Sequence, residues 1–194
     1  MTIIKYSPNK RTPIPWASGT STEIFIFPAD ASFASRNFLF RISTATVEAD
    51  ESVFTHFAGI TRHLMILQGE LELIHEGRYT KHLKPFDQDT FGGEWSTRSK
   101  GRVTDFNLML KDGATGSLTA HQISQGKTLN LTASGDYYFI YLASGEIKYN
   151  NTEIASAGDL LHINSESQIN LSANESCGII EIKVNLRNAE FIQI

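Results

Sequence analysis

The sequence predicts an all-β protein built from two tandem cupin-like β-sandwich units of the jelly-roll type. Short apolar stretches rich in β-branched and aromatic residues recur along the chain, and clusters of Gly, Asn, Asp and Ser separate them. An internal repeat supports two units rather than one. The length of 194 residues suits two units of about 100 residues each.

Strand patterns cover most of the chain, and no segment has the apolar spacing of a helix longer than two turns. Short helical turns are expected near Arg36 and in residues 55–61. Pro28 ends the first strand, because proline cannot donate to a sheet ladder. The predicted strands are Thr22–Phe27, Phe38–Glu48, His63–Leu67, Leu71–His75, Val103–Leu110, Ser117–Ile123, Lys127–Leu131, Tyr137–Leu142, Glu146–Tyr149, Asp159–Ile163, Gln168–Leu171 and Gly178–Asn185.

The repeat has an offset of about 76 residues, the separation of two Gly-Glu pairs at residues 69–70 and 145–146. In each copy an apolar strand reaches the pair, and a second strand runs on to a turn, at residues 76–77 or 150–152. We interpret each Gly-Glu pair as a tight hairpin. The expected units are residues 1–113 and 114–194, and the first unit is free to borrow strands from the C-terminal segment.

Composition limits the classes of function. The net charge is -4 and no basic block stands out, so we expect no nucleic-acid partner. No apolar run reaches the roughly 20 residues that cross a bilayer, and no signal segment opens the chain. We therefore expect no membrane partner and a cytoplasmic location. Cys177 is the single cysteine, which excludes an internal disulfide and predicts a small buried side chain.

Alternation along the strands separates a bulky apolar face from a mixed polar face. Asp105 and Asn107 share one face of their strand, and Arg41 and Ser43 share one face of theirs. Because a jelly roll turns one face of each sheet inward, a half-polar inner face predicts a cavity for a polar ligand. A sheet with a solvated outer face would show the same alternation.

The candidate ligand-binding residues belong to the first unit, and we expect the second unit to be a filled sandwich. Arg41 can clamp a carboxylate through two donors, and Asn107 offers both a donor and an acceptor. Glu23 is expected on the same face as Phe25 and Phe27. The carboxylates of Glu23 and Asp105 would balance the positive charge of Arg41 or Arg62. The full set is Trp16, Thr20, Glu23, Arg41, Ser43, Arg62, Asp105 and Asn107, with Trp16 and Phe54 as walls.

The histidine pattern does not predict a metal centre, and we expect no cofactor. A metal-binding jelly roll of this type needs two histidines separated by one residue, a nearby glutamate and a later histidine on an adjacent strand. No two of the six histidines have that separation; they are His56, His63, His75, His82, His121 and His162.

Five segments resemble the HutD/Ves family of bicupins: Trp16–Ile24, Phe40–Val47, Ser52–Arg62, Leu67–Glu70 and Thr104–Met109. The resemblance covers roughly residues 10–185 and is densest in the first half. It implies a two-unit cupin fold and an accessory or regulatory protein that binds a small ligand, linked to histidine utilisation or to a stress response.

The segment after Trp16 departs from the family pattern. It has one glycine where the family has three, and Ala17 and Ser18 stand where a basic residue and an asparagine are usual. Thr22 precedes Glu23 where the family has arginine. If this loop shapes the pocket, the ligand of this chain differs from that of other members.

Three functions remain open from the sequence. The first is metal-free binding of a small anion, such as a carboxylate or amino-acid derivative, by Arg41 with Asn107 and Ser43. The second is an isomerase or hydrolase with Glu23 or Asp105 as general base. The third is an interaction module or homodimer that uses an exposed aromatic patch of the second unit, formed by Tyr137, Tyr138, Tyr141 and Tyr149.

Overall fold

A computed structural model describes residues 2–150 and 152–186, and these residues form strands, turns and loops with a single 3₁₀ turn at Pro8–Lys10. No helix in these residues is both long and apolar enough to cross a membrane. In chain order the strands are β1 (Ile3–Tyr6), β2 (Ile14–Trp16), β3 (Gly19–Phe27), β4 (Phe40–Val47), β5 (Glu51–Val53), β6 (Ile60–Gly69), β7 (Leu71–His75), β8 (Tyr79–Leu83), β9 (Gln88–Gly92), β10 (Thr97–Lys100), β11 (Val103–Lys111), β12 (Thr115–Ile123), β13 (Thr128–Ala133), β14 (Tyr137–Ser144), β15 (Glu146–Tyr149), β16 (Glu153–Ser156), β17 (Leu160–Ile163), β18 (Ser167–Ala173) and β19 (Cys177–Asn185).

The described chain divides into two compact units. The N-terminal unit contains residues 11–114, and the C-terminal unit contains residues 2–10 and 115–186. Strand β1 belongs to the C-terminal unit because it pairs with β17. The second unit thus includes the first strand of the chain. The expected exchange, from the C-terminal segment to the first unit, involves residues 187–194, which lie outside the described residues.

The N-terminal unit is a sandwich of a six-stranded sheet, in the order β2-β3-β4-β11-β6-β9, and a four-stranded sheet, in the order β5-β10-β7-β8. Its apolar core joins the two sheets, since Leu64 and Ile66 on β6 cluster with Leu71 and Leu73 on β7. A second cluster, around Met109 of β11, lies under the loop that joins β3 to β4.

The C-terminal unit repeats this plan. A five-stranded sheet has the order β12-β19-β14-β17-β1, and a four-stranded sheet has the order β13-β18-β15-β16. The two larger sheets correspond strand by strand: the order β12-β19-β14-β17 in this unit matches the order β4-β11-β6-β9 in the N-terminal unit. The all-β, two-unit cupin-like architecture predicted from the sequence is confirmed.

The two Gly-Glu pairs are sheet crossings, and their interpretation as hairpins is wrong. Strand β6 pairs with β11 and β9, whereas β7 pairs with β8 and β10. Gly69 has φ 83° and Gly145 has φ 75°, so the chain turns sharply and passes into the facing sheet. The predicted turn at residues 76–77 does connect two paired strands, β7 and β8. Strands β15 and β16 are also paired, and residue 151 of the second predicted turn lies outside the described residues.

Of the two expected helical turns, the one at Arg36 is present as a single turn with the hydrogen-bond spacing of an α-helix, and it does not continue into a helix. Arg36 closes a hydrogen-bonded turn, in which its N–H donates to Ser32 O at 3.1 Å, and it has φ 53°. Residues 55–61 run through a loop and a turn at residues 58–59 into β6.

A β-bulge at Ile24 changes which residues of β3 share a face. Glu23 pairs with Ser43, but Phe25 pairs with Ile42, so the register shifts by one residue between them. Phe25 and Phe27 stack on the ring of Phe40. The prediction that Glu23 lies with Phe25 and Phe27 is therefore wrong, because the extra residue places both phenylalanines on the opposite face.

The tyrosines of the C-terminal unit do not form the exposed patch that the third functional hypothesis needs. Tyr138, Tyr141 and Tyr149 are buried, and Tyr137 is half-buried, with its ring stacked on Phe139. Cys177 is buried among apolar side chains, as predicted.

The crossing at Gly69 offers a matched test of the fold. An alanine Cβ at Gly69 would clash with the backbone oxygen of Arg102, whereas at Gly77, which also has positive φ, nothing lies within 4 Å. Positive φ alone costs alanine about 1–2 kcal/mol. We expect Gly77→Ala to lose about that much unfolding free energy in urea and Gly69→Ala to lose clearly more. Equal losses would contradict the tight crossing.

Candidate functional site

The N-terminal unit contains a cavity of about 320 Å³ on the inner side of the six-stranded sheet. Its walls come from β2, β3, β4, β11 and β6 and from the loops before β4 and before β6. The lining residues are Ile14, Pro15, Trp16, Ser21, Phe33, Ala34, Arg36, Arg41, Ser43, Ala45, Val47, Phe54, Thr55, Phe57, Arg62, Asp105, Asn107 and Met109.

Cross-strand pairing explains why polar residues from distant segments meet here. On β11, Asp105 is opposite Ala45 and Asn107 is opposite Ser43. Alternation then places all four on one face. Val47 and Val103, further along the same face, cluster with Leu73 of the four-stranded sheet, so the mixed face is the interior of the sandwich rather than a solvated surface.

Six of the eight predicted ligand-binding residues line the cavity; they are Trp16, Arg41, Ser43, Arg62, Asp105 and Asn107. Phe54, predicted as a wall, also lines it. Thr20 is not a lining residue. It is opposite Thr46, one residue out of step with Ala45, and its neighbour Ser21 lines the cavity instead.

Glu23 does not line the cavity either, but it binds a residue that does. The Arg41 guanidinium donates from Nε to Glu23 Oε2 at 2.8 Å and from Nη1 to Ser43 Oγ at 2.8 Å. It also lies 4.2 Å from the centre of the Phe33 ring. Burial lowers the pKa of Arg41, although Glu23 acts in the opposite direction. Arg41 therefore already has a carboxylate partner.

Arg62 has a different set of partners. Its Nη2 donates to Asn107 Oδ1 at 3.0 Å, and Asn107 Nδ2 donates to Asp105 Oδ1 at 2.6 Å. Its guanidinium also lies 4.9 Å from the Phe54 ring centre and 5.3 Å from that of Phe91. Arg62 thus reaches its acidic neighbour only through an amide.

Two buried donors at the cavity have no acceptor among the described residues: Arg62 Nε and Trp16 Nε1. Arg62 is 7% exposed. An unsatisfied buried donor costs about 1–3 kcal/mol, and native structures contain few of them. Both residues that carry these donors line the same cavity.

The electrostatics of the cavity favour an anion. Arg36, Arg41 and Arg62 face a single lining acid, Asp105. Burial lowers the pKa of Arg62 to about 10, so it remains a cation at neutral pH. Burial raises the pKa of Asp105 to about 6, although Arg62 and Asn107 lower it.

The lining does not fit a divalent metal ion. It offers one carboxylate, no imidazole and no thiol, and it already holds three guanidinium groups. Divalent ions in proteins need several nitrogen, sulfur or carboxylate ligands. Across residues 2–150 and 152–186, no three His, Cys, Asp or Glu side chains are grouped in a way that could hold a metal ion.

Sequence reasoning missed the lining residues of the loop between β3 and β4, and it missed Phe57 in the segment before β6. Phe33, Ala34 and Arg36 come from that loop, and Phe57 comes from the segment before β6. Loop residues carry no alternation that would indicate their direction. Strand alternation could have indicated Ser21, because it is two residues from Glu23 on the same strand.

A second buried polar group lies in the N-terminal unit. His75 is 1% exposed; its Nδ1 lies 2.9 Å from Thr97 Oγ1, and its Nε2 lies 3.0 Å from Asp89 Oδ2. Tyr79 and Lys81 also donate to Asp89. The hydrogen-bonding atoms of this imidazole are thus occupied by protein partners.

The interior of the C-terminal unit, which was expected to be a filled sandwich, includes one buried polar cluster. Glu181 is 6% exposed inside its sandwich and accepts hydrogen bonds from His121, Tyr138 and Lys183. Glu181 and Lys183 lie two residues apart on β19, but His121 is on β12 and Tyr138 is on β14, so the sequence alone does not indicate the group.

The chain matches one family model and resembles several known proteins. A family model described as HutD matches residues 9–180. An uncharacterized 21.2 kDa protein in the hutC 3' region of Pseudomonas putida is 28% identical over 150 residues, which is 70% of this chain and 75% of that protein.

Solved structures show the same fold at low identity. The conserved protein of unknown function PA5104 from Pseudomonas aeruginosa PAO1 superposes with a TM-score of 0.82 at 19% identity, covering 95% of this chain and 100% of that one. HutD from Pseudomonas fluorescens SBW25, in a formate condition, gives 0.74 at 20% identity, covering 95% and 100%. The bacterial pirin YhhW from Escherichia coli, in complex with nickel(II), gives 0.71 at 15% identity, covering 93% and 98%.

The raised pKa of Asp105 predicts a change in stability with pH. Its pKa is about 6 in the folded chain and about 3.9 in an unfolded one. The folded state therefore holds more protons between about pH 4 and pH 6, and stability from this group falls as pH rises through that window.

We expect Asp105→Asn to remove about 3 kcal/mol of that fall, measured as unfolding free energy in urea at pH 4 and pH 7. Asp50→Asn, at an exposed aspartate that pairs with Arg102, is the control for charge. A fall in Asp105→Asn equal to that of the unmodified chain would contradict the assignment.

Proposed function

Because the chain belongs to the HutD family, we propose that it binds a small carboxylate in the cavity of its N-terminal unit, as an accessory or regulatory protein. The observation that carries the proposal is the pair of buried donors, Arg62 Nε and Trp16 Nε1, which lack acceptors among the described residues. A carboxylate has two oxygens with about four acceptor positions, and it can satisfy both.

Arg62 is the better candidate than Arg41 for the principal contact. The sequence alone favoured Arg41, but Arg41 Nε already donates to Glu23 and Arg41 Nη1 to Ser43. Among the described residues, Arg62 Nε has no acceptor, and the hydrogen-bond acceptor of its Nη2 is the neutral amide of Asn107. Hydrogen bonds between charged partners contribute about 1.5–3 kcal/mol, so an anion gains most at Arg62.

The remaining lining suits a small acid. A cavity of about 320 Å³ lies at the small end of ligand pockets. Trp16, Phe54 and Phe57 provide an apolar surface beside the arginines. Ser43 and Asn107 offer polar contacts for a further group. An amino-acid derivative with one carboxylate and one amide-like group fits this combination.

The names of two relatives support a link between the proposal and histidine utilisation. One relative lies in the hutC 3' region of its genome, and a solved structure of a HutD comes from a formate condition. Both support a role in histidine utilisation over one in a stress response. A cytoplasmic location and homodimer formation stay predictions from the sequence.

Asp105 supports a second candidate, an isomerase or hydrolase. A general base is most effective when its pKa lies near the working pH, and burial raises the pKa of Asp105 to about 6. Asp105 Oδ1 accepts from Asn107, which leaves its other oxygen as the candidate base. Such an enzyme would convert the acid that it binds.

The binding proposal is tested with Arg62→Gln and the matched control Arg102→Gln, at an exposed arginine outside the cavity. Small carboxylates, formylated amino acids and histidine-pathway intermediates are screened by thermal shift. The affinity of each hit is then measured by calorimetry. We expect Arg62→Gln to weaken binding about 10–100-fold, the loss of one charge-assisted contact, and Arg102→Gln to leave it unchanged. Equal affinities in the two variants would contradict the proposal.

The enzyme candidate is tested on the same hits. Each hit is incubated with the unmodified chain and followed by proton NMR. A binding protein returns the acid unchanged, and Asp105→Asn binds it at least as tightly, because the cavity has lost its one negative charge. Turnover that Asp105→Asn abolishes would establish the enzyme instead.

A further inference from the structure

The C-terminal unit surrounds one buried carboxylate with three donors. Glu181 Oε1 accepts from Tyr138 OH at 2.8 Å and lies 3.0 Å from Lys183 Nζ, and Glu181 Oε2 accepts from His121 Nε2 at 3.0 Å. Glu181 is 6% exposed. Burial raises the pKa of Glu181, but the three hydrogen bonds outweigh burial and hold that pKa below its usual value. The carboxylate is therefore ionised and fully surrounded by donors at neutral pH.

This group occupies the place that the arginine cavity occupies in the other unit. Arg62 on β6 and Tyr138 on β14 each lie seven residues before the glycine at which their strand crosses to the facing sheet, Gly69 or Gly145. The order of neighbouring strands, β4-β11-β6 and β12-β19-β14, is also the same.

The partners of these two residues match as well. Asn107 on β11 and Glu181 on β19 each lie two residues before the residue that pairs with Arg62 or Tyr138. Arg62 donates to Asn107 at 3.0 Å, and Tyr138 donates to Glu181 at 2.8 Å. The acceptor of this cross-strand hydrogen bond is therefore the short amide side chain of Asn107 in one unit and the longer carboxylate side chain of Glu181 in the other.

A third pair of corresponding positions explains why the site in the N-terminal unit is open and the site in the C-terminal unit is filled. Asn107 is opposite Ser43, and Glu181 is opposite Thr119. Two residues further along these partner strands are Ala45, which lines the cavity, and His121, which donates to the carboxylate. The methyl group of Ala45 leaves space in the N-terminal unit, and the imidazole of His121 fills the corresponding space in the C-terminal unit.

We propose that the three donors of the C-terminal unit form a second carboxylate site, which the chain fills with its own Glu181 side chain. The Glu181 carboxylate takes the place that an external carboxylate takes in the N-terminal unit. That each chain binds one external acid, in its N-terminal unit, rests on the proposed function. That Glu181 fills a carboxylate site in the C-terminal unit does not depend on it.

The chemistry of the side chain provides a direct probe. Replacing glutamate by alanine deletes one methylene and one carboxylate, which together have the size and charge of an acetate ion. His121 is 23% exposed at its side chain and Lys183 is 38% exposed, so a small ion can reach the site from solvent. Acetate should therefore restore what Glu181→Ala removes.

The experiment measures the melting temperature of the full chain and of Glu181→Ala in 0.1 M sodium acetate and in 0.1 M sodium chloride at pH 7.5. We expect Glu181→Ala to melt lower in chloride and to gain about 3 °C or more from acetate beyond the gain of the unmodified chain. Adding Tyr138→Phe to Glu181→Ala should reduce that extra gain. Equal acetate shifts in all three proteins would overturn the proposal.

Refolding keeps the test decisive if Glu181→Ala does not accumulate as a folded protein. The variant is then refolded from urea in acetate or in chloride, beside Glu181→Gln, which keeps the shape of the side chain. Recovery in acetate alone supports the site, and failure in both salts while Glu181→Gln refolds overturns it. The acetate shift of the unmodified chain reports the N-terminal cavity, so either site can fail without the other.

Discussion

A buried guanidinium with too few protein acceptors is the interaction on which the account of this chain depends. Arg62 is fixed on β6 by the amide of Asn107 and by aromatic rings on either side, but its Nε has no acceptor among the described residues. Desolvating a cation is costly unless it is paired. The shape and charge of the whole cavity are therefore suited to an anion that completes the pairing.

The β-sandwich makes this arrangement from strand alternation alone. Each of β4, β6 and β11 contributes inward residues at every second position, and pairing brings Ser43 and Asn107 side by side. The bulge at Ile24 keeps Glu23 on the inner side while it moves Phe25 outward. The C-terminal unit has the same strands and the same contact geometry, but its inward glutamate satisfies its donors from within the chain. Two copies of one fold thus give one open site and one closed site.

Much of this could be read from the sequence, because alternation has a fixed period. The inward set of Arg41, Ser43, Asp105 and Asn107 follows from counting by two along predicted strands. Counting failed at the bulge, since one extra residue reverses the faces, and at Thr20, where the neighbour lines the cavity. The choice between two arginines depends on distances to Glu23 and Asn107, and the sheet crossing at Gly69 depends on which strands pair. Neither is a local property of the sequence.

The most direct measurement is the ¹⁵N–¹H spectrum of the arginine Nε–H groups during titration with a carboxylate that the chain binds, with Arg62→Lys used for assignment. The account predicts that the Arg62 Nε–H signal moves downfield and exchanges more slowly with water as the acid binds, because that hydrogen gains an acceptor. The Arg102 signal should stay in place. A bound acid that leaves the Arg62 signal unmoved, or that moves only the signal of Arg41, would contradict the central claim.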